Sequence, residues 1–313
     1  MQEIKQKLST LDEHGGIKKI ARISAAYGDE KYILTAVDNE RFLLKKYTLN
    51  RDCDVQADKE INNRISETGI KTPLILEVGK TEKDLVPFEL LIWIPGKSLD
   101  QQLDAFPKEL QYLKGVATGR ILKNIHTLDY YKLCRPNHTP LTDRVKNVIE
   151  GYDLLKRNGR PTYKGDVFRD YILKTSYAQS EGNVCLLHGD YHAGNIIEGV
   201  EGALWVIDWI YNLIGDPIED FVRIFVSADK SPEFAKGQID GYFDRVIPLC
   251  FWHKLKMYAA IQQLEMLFYP LGKLSDGRTL QEHQHHIVYE QYYGMKSIIP
   301  QFYTETGGIE NEH

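Results

Sequence analysis

The stretch LLHGDYHAGNII, residues 186–197, places His188, Asp190 and Asn195 in close succession. A further aspartate, Asp208, follows in the tetrapeptide VIDW. Polar residues between apolar runs are typical either of a turn between two strands or of a site for phosphoryl transfer. The spacing of these residues favours the second interpretation and, with it, a particular fold class.

Two short apolar runs flank the Gly-Val-Glu-Gly sequence at residues 199–202, and this pattern predicts a β-hairpin. If the turn is centred between Glu201 and Gly202, Asn195 faces Asp208 across the two strands. Directly opposed residues have Cβ atoms about 4.5–5.5 Å apart, so both side-chain oxygens would reach one cation.

An amide oxygen and a carboxylate suit a hard cation. Mg²⁺ takes few protein ligands and completes its shell with water and substrate phosphates. Asp190 precedes Asn195 on the entering loop and, lying near the phosphate but off the metal, would accept the proton of an attacking hydroxyl. We therefore predict a catalytic base at Asp190 and Mg²⁺ ligands at Asn195 and Asp208, which is the order of parts in the protein-kinase template.

The pattern of apolar residues changes at Pro95-Gly96. Before this point β-rich runs predict strands, with one amphipathic helix that Gly69 ends; after it, three- to four-residue periodicity predicts long helices. We predict an α+β chain with a strand-rich lobe at residues 1–95 and a mainly helical lobe at residues 96–313. The predicted strands include Lys31–Val37 and Arg41–Tyr47, and the predicted helices are Val55–Thr68, Lys108–Leu128, Leu141–Arg157, Tyr163–Tyr177, Pro217–Ala228, Pro232–Val246, Leu249–Phe268 and Thr279–Ile299.

The composition excludes several classes of partner. The chain has 313 residues and a formal net charge of −5, without the basic field that nucleic acid attracts. No stretch approaches the roughly 20 apolar residues of a membrane helix, and the polar N-terminus lacks the apolar core of a signal peptide. We expect a cytoplasmic protein with neither nucleic acid nor a membrane as partner, and leave both a monomer and a homodimer open.

The segments HGDYHAGN and IDW resemble the aminoglycoside phosphotransferase family, which shares the protein-kinase-like fold with choline kinases and related small-molecule kinases. The resemblance covers nearly the whole chain. It implies a two-lobed fold, with an antiparallel N-terminal sheet plus a helix and a larger helical C-terminal lobe. It also implies that Asp190 is the catalytic base, that His188 supports the catalytic loop, and that Asp220 in GDPIEDF holds this loop through backbone hydrogen bonds.

The same resemblance implies a nucleotide clamp in the N-terminal lobe. In RFLLKKY, the sequence FLLK matches the family's strand lysine at Lys45, while spacing alone leaves Lys46 open. Side chains alternate along a strand, so only one of the two lysines can reach the phosphates. Glu60, in the helix that follows, would hold the clamp lysine in place.

The nucleotide site would have two further parts. The segment SAAYGDEKYIL contains Gly28 but no GxGxxG motif, and backbone amides around Gly28 would contact phosphate. The adenine would lie against LLIWIPG, where backbone groups near Trp93 and Ile94 would read its edge.

The resemblance implies Mg²⁺-dependent transfer of the γ-phosphate of ATP, or of GTP, to a hydroxyl of a small molecule. We favour an aminoglycoside-like acceptor; choline, ethanolamine, a sugar or another small metabolite is the alternative. A non-catalytic binding or structural protein of the same fold is a third interpretation. Against it stands the presence of Lys45, Asp190, Asn195 and Asp208.

Overall fold

A computed structural model describes residues 4, 7–23, 29–47, 54–82, 84–133, 139–160, 164–175, 184–211, 213–268 and 279–306. Contacts within the chain divide it into two compact units. The first unit comprises residues 1–98, 131–135 and 196–212, and the second comprises residues 99–130, 136–195 and 213–313.

The strands are mostly short. Their bounds are β1 Ile17–Ile23, β2 Glu30–Ala36, β3 Arg41–Lys46, β4 Ile75–Lys80, β5 Pro87–Ile92, β6 Gly96–Ser98, β7 Cys185–Leu186, β8 Ile196–Gly199, β9 Leu204–Val206 and β10 Ile214–Gly215. The α-helices are longer and lie mainly in the second unit. Their bounds are α1 Ser9–Glu13, α2 Val55–Glu67, α3 Lys108–His126, α4 Tyr130–Leu133, α5 Leu141–Arg157, α6 Gly165–Thr175, α7 Ile224–Lys230, α8 Pro232–Phe243, α9 Leu249–Glu265, α10 Leu280–Gln291 and α11 Gln301–Glu305.

The first unit is built on a five-stranded antiparallel sheet with the strand order β1-β2-β3-β5-β4. Alternation along the strands gives this sheet two different faces. One face buries apolar side chains against residues of the N-terminal segment; this core contains Leu8, Leu11, Leu34, Phe42, Leu44, Phe88 and Leu90. The opposite face carries the alternate residues, among them Lys31 and Lys45.

Helix α2 follows the sheet's first three strands, as the apolar spacing predicts. Asp54 caps it by accepting a hydrogen bond from the backbone N–H of Ala57 at 3.2 Å, and Ile61 and Ile65 are buried. The helix stops before Gly69, whose φ of +89° is the left-handed conformation that favours glycine.

The predicted hairpin forms, but its register differs from the prediction by one residue. Ile196 pairs with Val206, and the Gly199 N–H donates to the Ala203 carbonyl at 2.8 Å. This pairing centres the loop on Glu201, so the loop has an odd number of residues, and Glu201 takes a φ of +70°. The predicted cross-strand pairing of Asn195 with Asp208 is wrong: Asn195 ends a 3-10 turn before β8, and Asp208 follows β9.

Two predicted helices also need correction. The segment Pro217–Ala228 begins as a 3-10 helix at Pro217–Arg223 and continues as α7. The segment Thr279–Ile299 is helical only to Gln291, because Tyr293, Gly294 and Met295 all take positive φ.

Helices α3 and α8 of the second unit pack closely through glycines. A Cβ atom at Gly115 would collide with the backbone oxygen of Phe234, and one at Gly237 with the backbone oxygen of Tyr112. The close approach fixes the C-terminal end of α3, which carries His126, beside Tyr242 of α8.

No helix in the described part of the chain is both long enough and apolar enough to cross a membrane.

Candidate active site

A row of charged side chains crosses the second face of the five-stranded sheet. Lys31 of β2 lies directly opposite Lys45 of β3, and Lys45 lies directly opposite Glu89 of β5. Directly opposed residues of neighbouring antiparallel strands project to the same face. Glu89 is buried and accepts a hydrogen bond from the Tyr47 hydroxyl at 2.7 Å.

Asp208 contacts both lysines of this row. Its Oδ1 atom lies 2.7 Å from Lys45 Nζ, and its Oδ2 atom lies 2.7 Å from Lys31 Nζ. The residue has a φ of +59°, a left-handed conformation that is uncommon outside glycine. The backbone therefore turns sharply at Asp208, two residues after the end of β9. Each oxygen of its carboxylate contacts one lysine ammonium group.

The two ammonium groups determine the ionisation of Asp208. Burial alone would raise the pKa of its carboxyl, but Lys45 and Lys31 outweigh burial and hold this pKa well below the ordinary value of 3.8. A carboxylate must be deprotonated to bind a metal ion. Asp208 meets this condition at every pH near neutrality.

Lys46 and Glu60 lie away from this site. Lys46 projects from the other face of the sheet, where its Nζ lies 2.8 Å from Glu30. Glu60 is on the exposed side of α2, opposite the buried Ile61, and accepts a hydrogen bond from Gln56 at 3.5 Å. The structure therefore brings Lys45 to Asp208, but it does not bring Glu60 to Lys45.

The predicted adenine segment follows β5. The backbone N–H of Trp93 donates to the Arg41 carbonyl at 3.3 Å, so this donor is already used within the sheet. The Trp93 ring packs 5.4 Å from the Arg41 guanidinium, and Ile94 is buried. Gly28, the predicted phosphate-loop residue, lies outside the described residues.

In the second unit, Asp190 is surrounded by hydrogen-bond and charge partners. Asn195 Nδ2 donates to the Asp190 backbone oxygen at 2.9 Å and to its Oδ2 at 3.0 Å. Arg223 Nε forms an ion pair with Oδ1 at 2.7 Å, and His192 Nε2 lies 3.6 Å from Oδ2. Burial would raise the pKa of Asp190, but His192 and Arg223 hold it well below its ordinary value.

Asp220 anchors the loop that carries Asp190. Its carboxylate accepts the backbone N–H of His188 at 2.8 Å and that of Gly189 at 2.7 Å. His126 Nε2 lies 3.0 Å from the same carboxylate. The buried His188 in turn accepts the Asp190 backbone N–H at its Nδ1, at 3.2 Å. The backbone bonds are those that the resemblance implies for Asp220.

Each unit offers one oxygen ligand of the kind that Mg²⁺ prefers, Asp208 in the first unit and Asn195 in the second. The Asn195 amide nitrogen is occupied by Asp190, so the atom that Asn195 offers to a cation is its amide oxygen. Within the described residues, no group of three or more His, Cys, Asp or Glu side chains could hold a metal ion by itself. Mg²⁺ needs no such group, because phosphates and water complete its shell.

Sequence reasoning missed Lys31, Glu89 and Arg223. Each lies in or next to a segment that the sequence analysis discusses, but none belongs to a recognised motif position, and their contacts with Lys45, Asp208 or Asp190 depend on strand register or helix packing. Once β2 and β3 are aligned across their hairpin, Lys31 falls opposite Lys45, so the two lysines are expected on the same face of the sheet.

Comparison with known proteins places the chain. A model of the phosphotransferase enzyme family matches residues 19–252, more than half of the sequence. The chain belongs to this family. The resemblance to aminoglycoside phosphotransferases and choline kinases is thereby confirmed, and with it the prediction of a phosphotransferase enzyme. A comparison with curated protein sequences finds no match.

Several solved structures share the fold of this phosphotransferase family member. A thermostable mutant of aminoglycoside phosphotransferase APH(4)-Ia, in a ternary complex with ADP and hygromycin B, is 15% identical with a TM-score of 0.68, over 92% of this chain and 97% of that chain. Choline kinase LicA from Streptococcus pneumoniae is 15% identical with a TM-score of 0.63, over 95% and 98%. A choline/ethanolamine kinase family protein from Mesorhizobium loti is 14% identical with a TM-score of 0.67, over 95% and 97%. The predicted α+β, protein-kinase-like fold is confirmed.

Proposed function

We propose that this phosphotransferase moves the γ-phosphate of ATP to a hydroxyl group of a small molecule, with Mg²⁺ bound to the nucleotide. The observation that carries the proposal is the ion pair of Lys45 with Asp208 at 2.7 Å. It joins a strand lysine suited to phosphate with a carboxylate suited to a metal ion. Membership of the phosphotransferase family supports the same assignment.

Each residue has a separate task in this proposal. Lys45 would bind phosphate oxygens. Asp208 of the first unit and the amide oxygen of Asn195 of the second would each be a ligand for Mg²⁺, which would supply positive charge to the phosphates. Asp190 orients the acceptor hydroxyl and takes its proton as the new oxygen–phosphorus bond forms. The bond from the γ-phosphorus to the bridging oxygen breaks, and ADP leaves. Asp220 keeps the loop in place through the His188 and Gly189 backbone.

The acceptor pocket that we propose lies beside the catalytic loop in the second unit. A cavity of about 450 Å³ opens there, within the size range of small-molecule sites. Leu213 and Ile214 line it, and the Leu213 carbonyl accepts the backbone N–H of Leu187, the residue before His188. One backbone hydrogen bond therefore connects the cavity wall to the residue that leads into the loop with Asp190.

The charges of this cavity favour an acceptor with amino groups. Arg144 lies between two carboxylates: it makes a bidentate contact with Glu265 at 2.7 and 2.8 Å and also pairs with Glu219. Two carboxylates against one guanidinium leave one negative charge. Burial raises the pKa of Glu219 to about 7, so this charge is present above neutral pH.

The lining also bears on the choice between the two acceptor classes. Among the described residues of the cavity wall, Phe268 is the one aromatic ring. An aromatic cage for a quaternary ammonium group needs several such rings. We therefore favour a polyhydroxylated amine of the aminoglycoside type over choline.

The test is a screen of ATP and GTP consumption with Mg²⁺ across aminoglycosides, amino alcohols and sugars. We expect turnover with at least one polyhydroxylated amine. When Mg²⁺ is chelated, we expect turnover to stop with every acceptor. Turnover with choline but not with any aminoglycoside would reverse the acceptor preference. An enzyme preparation that binds nucleotide but phosphorylates nothing would instead support a binding protein of this fold.

A charge variant then locates the acceptor. Glu265→Gln should raise the KM for the amine acceptor several-fold, while the KM for ATP stays unchanged. Asp143→Asn is the matched control, because Asp143 is an exposed acid next to Arg144 but outside the cavity lining. Equal acceptor KM values in both variants would place the acceptor elsewhere.

A further inference from the structure

Lys31 is a charged residue that the family's motifs do not explain. It lies on β2, and three quarters of its side chain is buried. Its cross-strand neighbours are Ile23 on one side and Lys45 on the other, and neither supplies a negative charge. The anion that it contacts in the described part of the chain is Asp208, at 2.7 Å.

The adjacent pair on the same two strands shows how unusual this arrangement is. Glu30 lies directly opposite Lys46, and the two form an ion pair at 2.8 Å on the other face of the sheet. Opposite charges stabilise such a position, whereas like charges directly opposite one another are destabilising. The Lys31–Lys45 pair is tolerated because each lysine takes one oxygen of Asp208.

The two lysines differ in whether another carboxylate lies opposite them once Asp208 binds a metal ion. Lys45 still has the buried carboxylate of Glu89 directly opposite it on β5. Lys31 has no second carboxylate among its cross-strand neighbours, so its ammonium group needs a new anion on the same face of the sheet. The phosphates that accompany the metal ion are such an anion.

We propose that Lys31 is a second phosphate-binding lysine of this enzyme, which exchanges Asp208 for a phosphate oxygen when the metal–nucleotide complex binds. This inference rests on the proposed function. The ligand class is a nucleoside di- or triphosphate bound with a divalent cation. Adenosine monophosphate lacks the outer phosphates that would bind the metal ion beside Asp208. Its affinity should therefore depend little on Lys31.

The test compares the binding of MgATP, MgADP and AMP by isothermal titration calorimetry, so that it does not depend on turnover. Lys31→Met should weaken MgATP binding about 10-fold, which is the loss of affinity expected when one charge-assisted hydrogen bond is removed. The same variant should change AMP binding less than about two-fold. Lys46→Met is the matched control, because Lys46 lies on the neighbouring strand β3 and projects from the other face of the sheet. This variant should bind all three ligands as the wild type does. Lys31→Arg should recover most of the lost MgATP affinity.

The outcomes separate this inference from the proposal on which it rests. Wild-type protein that binds no nucleotide overturns both. Wild-type binding of MgATP together with unchanged binding by Lys31→Met overturns the role of Lys31 alone. An equal loss for MgATP and AMP also overturns it, because such a loss reports a general disturbance of the sheet, which a thermal unfolding curve of the variant would show directly.

Discussion

The two carboxylates of the proposed reaction, Asp208 and Asp190, are held in different ways. Asp208 is paired with ammonium groups at the ends of two long side chains, which two neighbouring strands supply. Asp190 is bound within its own loop by Asn195 and His192, with Arg223 added from the helical segment that follows. Both carboxyl pKa values lie well below the ordinary value.

The difference teaches what each carboxylate is suited to do. Lysine ammonium groups on flexible stems move easily, so another cation can replace them at Asp208. The hydrogen bonds around Asp190 join it to a loop that Asp220 fixes, so its direction is set before any ligand arrives. This difference supports the proposed roles, an exchangeable cation site at Asp208 and a positioned proton acceptor at Asp190.

The largest expected effect comes from Asp208→Asn. The change preserves shape but removes the charge that holds the cation, and metal-ion stabilisation of the transition state is worth several kcal/mol. We expect Mg²⁺-dependent turnover to fall by about 10⁴-fold or more. ATP consumption with the acceptor from the screen measures it, with a thermal unfolding curve to verify the fold. Substantial activity in this variant would remove the metal role from Asp208.

A smaller loss is expected from Asp190→Ala, because a general base contributes about 10²–10⁴-fold. Single-turnover rates should fall by this factor, while affinity for a non-hydrolysable ATP analogue stays within a few-fold. Asp190→Glu should not restore the full rate, since one extra methylene displaces the carboxylate from the acceptor hydroxyl. Loss of nucleotide binding in the alanine variant would make Asp190 structural and end the contrast with Asp208.

The next effect in size distinguishes the two neighbouring lysines of β3. Lys45→Ala should weaken nucleotide binding about 10- to 100-fold, the range for a hydrogen bond to a charged group, because it removes a phosphate ligand. Lys46→Ala should change it little, because Lys46 lies on the other face beside Glu30. Titration of both variants with MgATP decides between them. The reverse result would mean that the nucleotide lies on the Lys46 face.

The smallest expected effect is on stability against pH. A carboxyl whose pKa is lowered by folding stabilises the protein above its ordinary value of 3.8, and this contribution is lost as the pH falls below that value. The contribution of Asp208 to the unfolding temperature should therefore be constant between pH 5 and 8, and the unfolding temperature should decrease below about pH 4. In Asp208→Asn the acid decrease should be smaller by about 2–4 °C. Identical acid profiles would show that the lysines do not hold Asp208 as described.

The sequence by itself determines the fold class, the family and the ends of several elements, because local signals and motifs agree. Helix α2 begins after Asp54 and stops before Gly69, where a cap and a left-handed glycine mark its ends. The motif residues Asp190 and Asp220 identify the family's loop, and side-chain alternation explains why Lys45 and Lys46 lie on opposite faces. The family and the α+β class depend on features of this kind, which short stretches of chain specify.

The rest depended on tertiary structure, because a position in the chain does not fix which side chains meet. One additional residue in the turn around Glu201 shifts the register of β8 and β9, and it removes the predicted pairing of Asn195 with Asp208. Glu60 belongs to a recognisable helix, yet its side chain lies on the exposed side. Lys31 reaches Asp208 only because the pairing of β2 with β3 places it beside Lys45, and strand register is set by the packing of the whole sheet.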